Sequence, residues 1–113
     1  MPLITDKSLK KLIRSFKNNN AGSMIAFNAQ KPKGYGRVIL SNNKVTKVVE
    51  EINTTVNEKI IELCNSGIML VKKSIFYKNI KFIKFNKKKK ERYLTDIFEI
   101  YFKKNIPFSF VVS

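Results

Sequence analysis

Apolar residues recur along the chain at two spacings, which predict alternating helices and strands. Residues 9, 12, 13 and 16 follow an N-cap at Thr5 or Asp6 and predict an amphipathic helix that ends at 18–22. A second helical stripe begins at Tyr93 and stops at 105–107. The other predicted elements are strands at 23–29, 37–41, 44–51 and 108–112, a helix-like segment at 56–63, and a strand at 64–71 whose apolar tail indicates burial on both faces.

Asn42 and Asn43 separate two of these strands and predict a tight hairpin, in which the first Asn tolerates left-handed backbone angles. The alternation of strands and helices predicts an α/β fold with a parallel component. Residues 74–81 stay ambiguous between helix and strand, and Lys87–Lys90 indicates a charged loop.

The composition narrows the chemistry that is open to the chain. It has no His and a single Cys, which excludes imidazole acid–base chemistry, intramolecular disulfides and multi-Cys metal sites. We therefore expect Cys64 to be a small buried apolar residue. Carboxylates, amides, hydroxyls, Lys, Arg or backbone groups must perform any function.

The net charge of +15 favours a polyanionic partner, but a second explanation competes. The chain has 20 Lys, 12 Asn and 14 Ile, all with A- and T-rich codons, and its Lys residues are scattered rather than clustered. An AT-rich genome is one explanation of this skew, and a selected anion-binding surface is the other. No basic leader or long apolar run is visible, so a cytoplasmic protein is expected.

Five short motifs occur in the order and at the spacings of one known family. They are Pro-Leu-Ile at 2–4, Gly-Tyr-Gly-Arg at 34–37, Lys-Val-Thr-Lys-Val-Val-Glu-Glu at 44–51, Asn-Ser-Gly-Ile at 65–68 and Glu-Arg-Tyr-Leu-Thr-Asp-Ile at 91–97. With them, the chain resembles the pyrophosphorylase (uridyltransferase) domain of the bacterial bifunctional N-acetylglucosamine-1-phosphate uridyltransferase/glucosamine-1-phosphate acetyltransferase. The resemblance covers nearly all 113 residues.

The resemblance implies that residues 1–113 are a single partial domain, the C-terminal part of a Rossmann-like nucleotidyltransferase with a mixed sheet, flanking helices and a β-hairpin. The implied reaction joins UTP and N-acetylglucosamine 1-phosphate to give UDP-N-acetylglucosamine and pyrophosphate, with Mg²⁺. The metal ligands, the nucleotide-binding half and the acetyltransferase domain have no counterpart here. We therefore expect a truncated fragment, inactive alone, whose missing half an upstream polypeptide could supply.

The resemblance also implies five sugar-binding residues and assigns no catalytic or metal-ligating residue. Gly36 would offer its backbone to the sugar, Glu50 would accept hydrogen bonds from hydroxyls or the amide, Asn65 would contact the N-acetylglucosamine moiety, and Tyr93 and Thr95 would complete the wall. Each residue type also has an ordinary structural role: a turn glycine, a solvated carboxylate, a strand-entry cap, and a helix start capped by Thr.

Two alternatives from other classes stay open. The chain could be a small basic module that binds nucleic acid through Lys87–Lys90 and the aromatic residues Phe82, Phe85 and Tyr93. It could also be a decayed gene product without activity.

One departure from the family pattern is Arg92, which stands where the family usually has Tyr and changes the expected wall beside the sugar phosphate.

Overall fold

Five strands form one mixed sheet in the computed structural model, which describes residues 4–16, 20–83, 85–86 and 91–113. The elements are α1 (Asp6–Ser15), β1 (Gly22–Asn28), β2 (Arg37–Ser41), β3 (Lys44–Val49), α2 (Val56–Lys59), β4 (Leu63–Val71), α3 (Lys73–Asn79), β5 (Phe85–Asn86), β6 (Glu91–Arg92), α4 (Ile97–Lys103) and β7 (Phe108–Val112). The sheet order is β3-β2-β4-β1-β7, and β5 pairs with β6 separately. β1 and β7 are parallel and the other pairs are antiparallel, which confirms the predicted α/β fold with its mixed sheet and hairpin.

The first helix begins where the sequence predicts and ends earlier. Thr5 caps it by accepting a hydrogen bond from the Ser8 backbone N–H at 3.2 Å, and the last helical residue is Ser15. Leu12 is buried, but Leu9 and Ile13 are exposed, so the predicted apolar stripe is covered only along its centre. The predicted end at 18–22 includes residues 17–19, which lie outside the description.

The hairpin forms as predicted, with one difference in its turn. Asn42 and Asn43 both have left-handed backbone angles, with φ of 50° and 60°, whereas the sequence predicted this only for the first. Two consecutive positive φ values match the twist of the flanking strands. The turn fixes the register of Ser41 opposite Lys44, and β3 then ends at Val49, immediately before Glu50.

The helix predicted at 56–63 is wrong beyond its first turn. α2 is a single turn that begins with a capping box between Thr55 and Glu58, and the side chains of Val56 and Ile60 are 82% and 77% exposed. Leu63 instead pairs with Asn28 in the sheet. Without apolar contacts for its stripe, the helix gains little from extension, and pairing of the chain with β1 prevails.

The prediction that β4 is buried on both faces is also wrong. Cys64 is buried as predicted, but Gly67 is exposed and Ile68–Val71 are half-buried. The reason lies in the sheet order: β4 pairs with β2 only at Arg37 opposite Cys64, and its later residues have a neighbouring strand on the β1 side alone within the described segments. The outer edge of β4 is therefore open there.

The main apolar core lies between the sheet and α4. Its largest members are Met24, Phe98, Tyr101 and Phe108. The helix predicted from Tyr93 begins as a 3-10 turn, and Leu94 on that turn is 46% exposed rather than part of the core. This irregular entry directs Tyr93 and Thr95 toward the end of β3.

The ambiguous segment at 74–81 is resolved as α3 followed by a 3-10 turn over Ile80–Phe82. The predicted loop Lys87–Lys90 and the motif residues Pro2 and Leu3 lie outside the described residues. None of the helices in the described segments has the length and apolar character needed to cross a bilayer.

Candidate functional site

A cavity of about 300 Å³ opens where β3 ends, and we call it the Glu50 cavity. Its walls come from β3, from the capping box of α2 and from the start of α4. The lining residues used below are Lys47, Glu50, Thr55, Glu58, Tyr93, Thr95, Asp96 and Glu99. Three of the five sequence-predicted site residues, Glu50, Tyr93 and Thr95, therefore line one cavity although 43 residues separate Glu50 from Tyr93 along the chain.

Glu50 is fixed in the cavity by a long-range hydrogen bond. The Thr95 hydroxyl donates to Glu50 Oε1 at 2.8 Å, and this bond joins the end of β3 to the turn before α4. Thr95 thus does not act as a helix cap, and α4 has no side-chain cap. Glu50 Oε2 has no hydrogen-bond partner among the described residues, which leaves a carboxylate oxygen available to accept from a ligand.

Gly36 lies directly behind the Glu50 carboxylate. A Cβ atom at position 36 would lie 2.9 Å from Val48 Cγ1 and 3.4 Å from Glu50 Oε2. The first distance is shorter than normal packing allows, so the close approach between the two strands requires glycine here. Gly36 supports the position of Glu50, and it does not itself line the Glu50 cavity.

Asn65 is connected to this region through its backbone. Its N–H donates to Gly36 O at 2.9 Å, while its side-chain Oδ1 accepts from the Gly67 N–H at 2.9 Å. The side-chain carbonyl is therefore used in a local contact within β4, which differs from the strand-entry cap given as the structural alternative. Asn65 is not among the lining residues, so the structure brings together Glu50, Tyr93 and Thr95 most closely, with Gly36 and Asn65 one step away.

The Glu50 cavity is acidic although the chain carries a net charge of +15. Four of the eight acidic residues line it, against Lys47 as the cation, which lies 3.8 Å from Glu58 Oε2. The pKa of Asp96 is raised, first by burial and then by repulsion from Glu99 and Glu50. The cavity can accept hydrogen bonds from hydroxyl and amide groups.

Asp96 and Glu99 also line the cavity, although neither was predicted as a site residue. Their spacing from Thr95 could have indicated them, because Thr95, Asp96 and Glu99 lie on one side of a helix start. The described residues contain no group of three or more His, Cys, Asp or Glu that could hold a metal ion. They do not fit a magnesium site.

A second polar cluster surrounds Glu51 and was missed entirely. Glu51 Oε1 accepts from the Gly34 N–H at 2.7 Å and from Arg37 Nη1 at 3.2 Å, and Lys59 Nζ lies 3.7 Å from Oε2. The backbone hydrogen bond is the main cause that lowers the pKa of Glu51, and the adjacent cations add to it. Arg37 is almost fully buried, so its pairing with Glu51 is structural.

Comparison with known proteins confirms the resemblance inferred from the motifs. Over 96 residues the chain is 38% identical to the bifunctional protein GlmU of Campylobacter lari, and over 106 residues it is 38% identical to that of Bartonella bacilliformis. These matches cover 85% and 93% of this chain. The chain spans only 22% and 23% of the length of the two relatives. No protein-family model matches it.

A solved structure shows the same fold. The chain superposes on a protein described as a glucose-1-phosphate thymidylyltransferase from Bacillus anthracis, solved with sucrose, with a TM-score of 0.68 and 20% identity. The match covers 97% of this chain and 42% of that protein. The chain therefore has the fold of part of a sugar nucleotidyltransferase.

Proposed function

We propose that this chain is the sugar-phosphate-binding part of a uridyltransferase domain that converts UTP and N-acetylglucosamine 1-phosphate to UDP-N-acetylglucosamine and pyrophosphate. The observation that carries the proposal is the hydrogen bond from Thr95 to Glu50, which holds a carboxylate in a cavity at the end of β3. The similarity to GlmU proteins over about nine-tenths of the chain supports the same assignment.

The reaction needs positioning more than acid–base catalysis by side chains. An oxygen of the sugar phosphate attacks the α-phosphorus of UTP, the bond from that phosphorus to the bridging oxygen breaks, and pyrophosphate leaves. Mg²⁺ supplies charge neutralisation in such reactions. Because the described residues do not fit a magnesium site, we assign the chain only the steps that its own residues perform: binding and orienting the sugar.

We assign each candidate residue a role in holding the sugar. Glu50 accepts hydrogen bonds from ring hydroxyls or the amide through the oxygen that Thr95 leaves free. Tyr93 and Thr95 form the wall next to it, Gly36 permits the close approach of Glu50, and Asn65 contributes its side-chain amide group from the adjacent strand. None of these residues is assigned a catalytic role.

A binding measurement on the full chain tests this assignment. We expect isothermal titration with UDP-N-acetylglucosamine to show saturable binding that Glu50→Gln weakens about tenfold, since a charged acceptor is replaced by a neutral one. Glu62→Gln is the matched control, because Glu62 is exposed and lies outside the Glu50 cavity. Equal affinities of the two variants, or no saturable binding by the unmodified chain, would overturn the assignment.

We further propose that the nucleotide-binding part of the domain comes from residues beyond these 113. The chain matches 42% of the solved neighbour and leaves the outer edge of β4 at Ile68–Val71 without a neighbouring strand in the described segments. Such an edge accepts a further strand. A cytoplasmic location stays a prediction.

Reconstitution tests this second point. The purified chain alone should make no UDP-N-acetylglucosamine from UTP, N-acetylglucosamine 1-phosphate and Mg²⁺, whereas mixing it with the nucleotide-binding half of the Campylobacter lari protein should yield product. Robust synthesis by the chain alone, or none from the mixture when a stable complex is seen by gel filtration, would contradict the proposed division of labour.

A further inference from the structure

A second cavity, of about 250 Å³, lies on the other side of the segment that carries Gly36, and we call it the Arg37 cavity. It is lined by Lys31, Pro32, Lys33, Arg37, Glu51 and Lys59. Four cations face one carboxylate there, which is the opposite balance to that of the Glu50 cavity. The roles proposed above for sugar binding leave this cavity unused.

The floor of the Arg37 cavity is a guanidinium group that cannot move away. Arg37 is 2% exposed, and its Nη atoms donate to Tyr35 O at 2.7 Å and to Lys59 O at 3.1 Å. Its Nε is buried with no hydrogen-bond partner among the described residues. Glu51 is the one carboxylate that lines this cavity, and it pairs with Arg37 at 3.2 Å and with Lys59 at 3.7 Å. Four cations and one carboxylate leave the cavity with a net positive charge.

The loop before Arg37 carries two of those cations, Lys33 on a closed turn and Lys31 immediately before it. Tyr35 N–H donates to Pro32 O at 3.1 Å, and Gly34 between them has φ of 92°, which closes a tight turn with Lys33 near its tip. The Tyr35 ring packs edge-on against buried Phe27 with centroids 5.1 Å apart. Because the turn is held at both ends, the ammonium groups beside it lose less entropy on binding a ligand than those on a loose tail.

Neither Lys31 nor Lys33 forms an ion pair with a described acidic residue, while Lys59 shares Glu51 with Arg37. We propose that the Arg37 cavity binds a small phosphoryl anion, either inorganic pyrophosphate or a phosphate monoester. An ammonium group on the turn, a second immediately before it, a third on α2 and a buried guanidinium match a compact phosphoryl anion. The site is separate from the Glu50 cavity, and its occupancy does not depend on the function proposed for that cavity.

Titration calorimetry with inorganic pyrophosphate, and separately with inorganic phosphate, tests this proposal on the full chain. We expect one saturable site, with pyrophosphate tighter than phosphate. The double variant Lys31→Gln/Lys33→Gln should weaken pyrophosphate binding about tenfold, because two charge-assisted contacts are lost. Lys10→Gln/Lys11→Gln is the matched control, since it removes the same charge from exposed positions on α1, and it should change the affinity less than twofold.

The outcomes separate a built site from the general basicity of the chain. Equal weakening in the two double variants, or linear heats without saturation, would overturn the proposal. A single-stranded oligonucleotide forms a third arm: if it binds and pyrophosphate cannot compete, the cavity serves a polymer backbone and the small-anion proposal is wrong. The pyrophosphate titration contains no sugar or nucleotide. A negative result therefore contradicts only the Arg37-cavity proposal and leaves the Glu50→Gln test of sugar binding unaffected.

Discussion

Glu50 and Glu51 are adjacent in the sequence, yet their carboxylates lie in two opposite surroundings. Glu50 lies in a cavity that is lined by four carboxylates, and it accepts a hydrogen bond from the neutral hydroxyl of Thr95. Glu51 faces a cavity that collects four cations, and it accepts from a backbone N–H and from buried Arg37. Glu50 keeps one oxygen available for a ligand, whereas both oxygens of Glu51 contact groups of the protein itself.

The comparison shows that a net charge of +15 conceals a local separation of charge. The segment from Gly34 to Arg37 lies between the two cavities: Gly36 allows the approach of Glu50 on one side, and Gly34 binds Glu51 on the other. Average composition points to a polyanionic partner, but the cavity next to β3 and α4 is acidic. The few residues that line each cavity, rather than the net charge, therefore determine which ligand that cavity accepts.

Replacing Arg37 is expected to have the largest effect on the protein. Arg37→Met removes three donated hydrogen bonds and leaves Tyr35 O and Lys59 O without their donor, while Glu51 loses its buried counterion. We expect the free energy of unfolding to fall by about 3 kcal/mol, because each of the three lost hydrogen bonds contributes roughly 1 kcal/mol. Urea unfolding followed by circular dichroism measures the loss.

The matched substitution on the other side is Glu50→Gln. The Thr95 hydroxyl can still donate to an amide oxygen, and loss of the Glu50 charge reduces the repulsion of Asp96, so we expect the unfolding free energy to change by less than about 0.5 kcal/mol. If the two variants were equally destabilised, or if Arg37→Met were neutral, the division between a structural and a ligand-facing carboxylate would be wrong.

A smaller effect is expected in the pH dependence of stability, with opposite signs for the two cavities. The pKa of Glu51 lies below its ordinary value of 4.5 in the folded chain. The stabilisation that the ionised Glu51 carboxylate gives the fold is therefore complete above pH 4.5 and is lost as the pH falls through the folded-state pKa. The pKa of Asp96 lies above its ordinary value of 3.8. The stabilisation of the fold by protonated Asp96 is therefore complete below pH 3.8 and is lost as the pH rises through the folded-state pKa.

Single variants separate the two contributions. Relative to the unmodified chain, Glu51→Gln should unfold at a lower temperature at pH 7, and the difference should shrink toward pH 3. Asp96→Asn should unfold at a slightly higher temperature at pH 7, and that difference should also shrink on acidification. Differential scanning calorimetry between pH 3 and 7 measures both, and parallel profiles for all three proteins would contradict the contrast.

The local signals in the sequence predicted the fold wherever a helix or strand follows from its own residues. The start of α1 at Thr5, the hairpin around Asn42 and a second helix that ends before 105–107 all agree with the structure. The errors arose where long-range pairing decided the outcome. Leu63 matches a helical stripe, but it joins β4 because Asn28 offers a strand partner, and no spacing pattern reveals that partner.

The site residues could be selected only through motif resemblance. Composition alone gives no reason to prefer Glu50 over Glu51, and the pairing of Arg37 with Glu51 across 14 positions cannot be read from periodicity. The lining of the Glu50 cavity by Asp96 and Glu99 depends on how the 3-10 turn enters α4, which is a matter of packing. The binding roles of Gly36, Glu50, Asn65, Tyr93 and Thr95 stay predictions.

The uncovered side of β4 has a consequence for the abundance of the protein in a cell. Within the described segments, Ile68–Val71 have no neighbouring strand on one side and their side chains are half-buried, and chaperones and proteases recognise exposed strand edges in newly made chains. We expect the lifetime of the polypeptide after synthesis to follow the supply of whatever completes its sheet. Turnover, rather than chemistry, would then set how much of it accumulates.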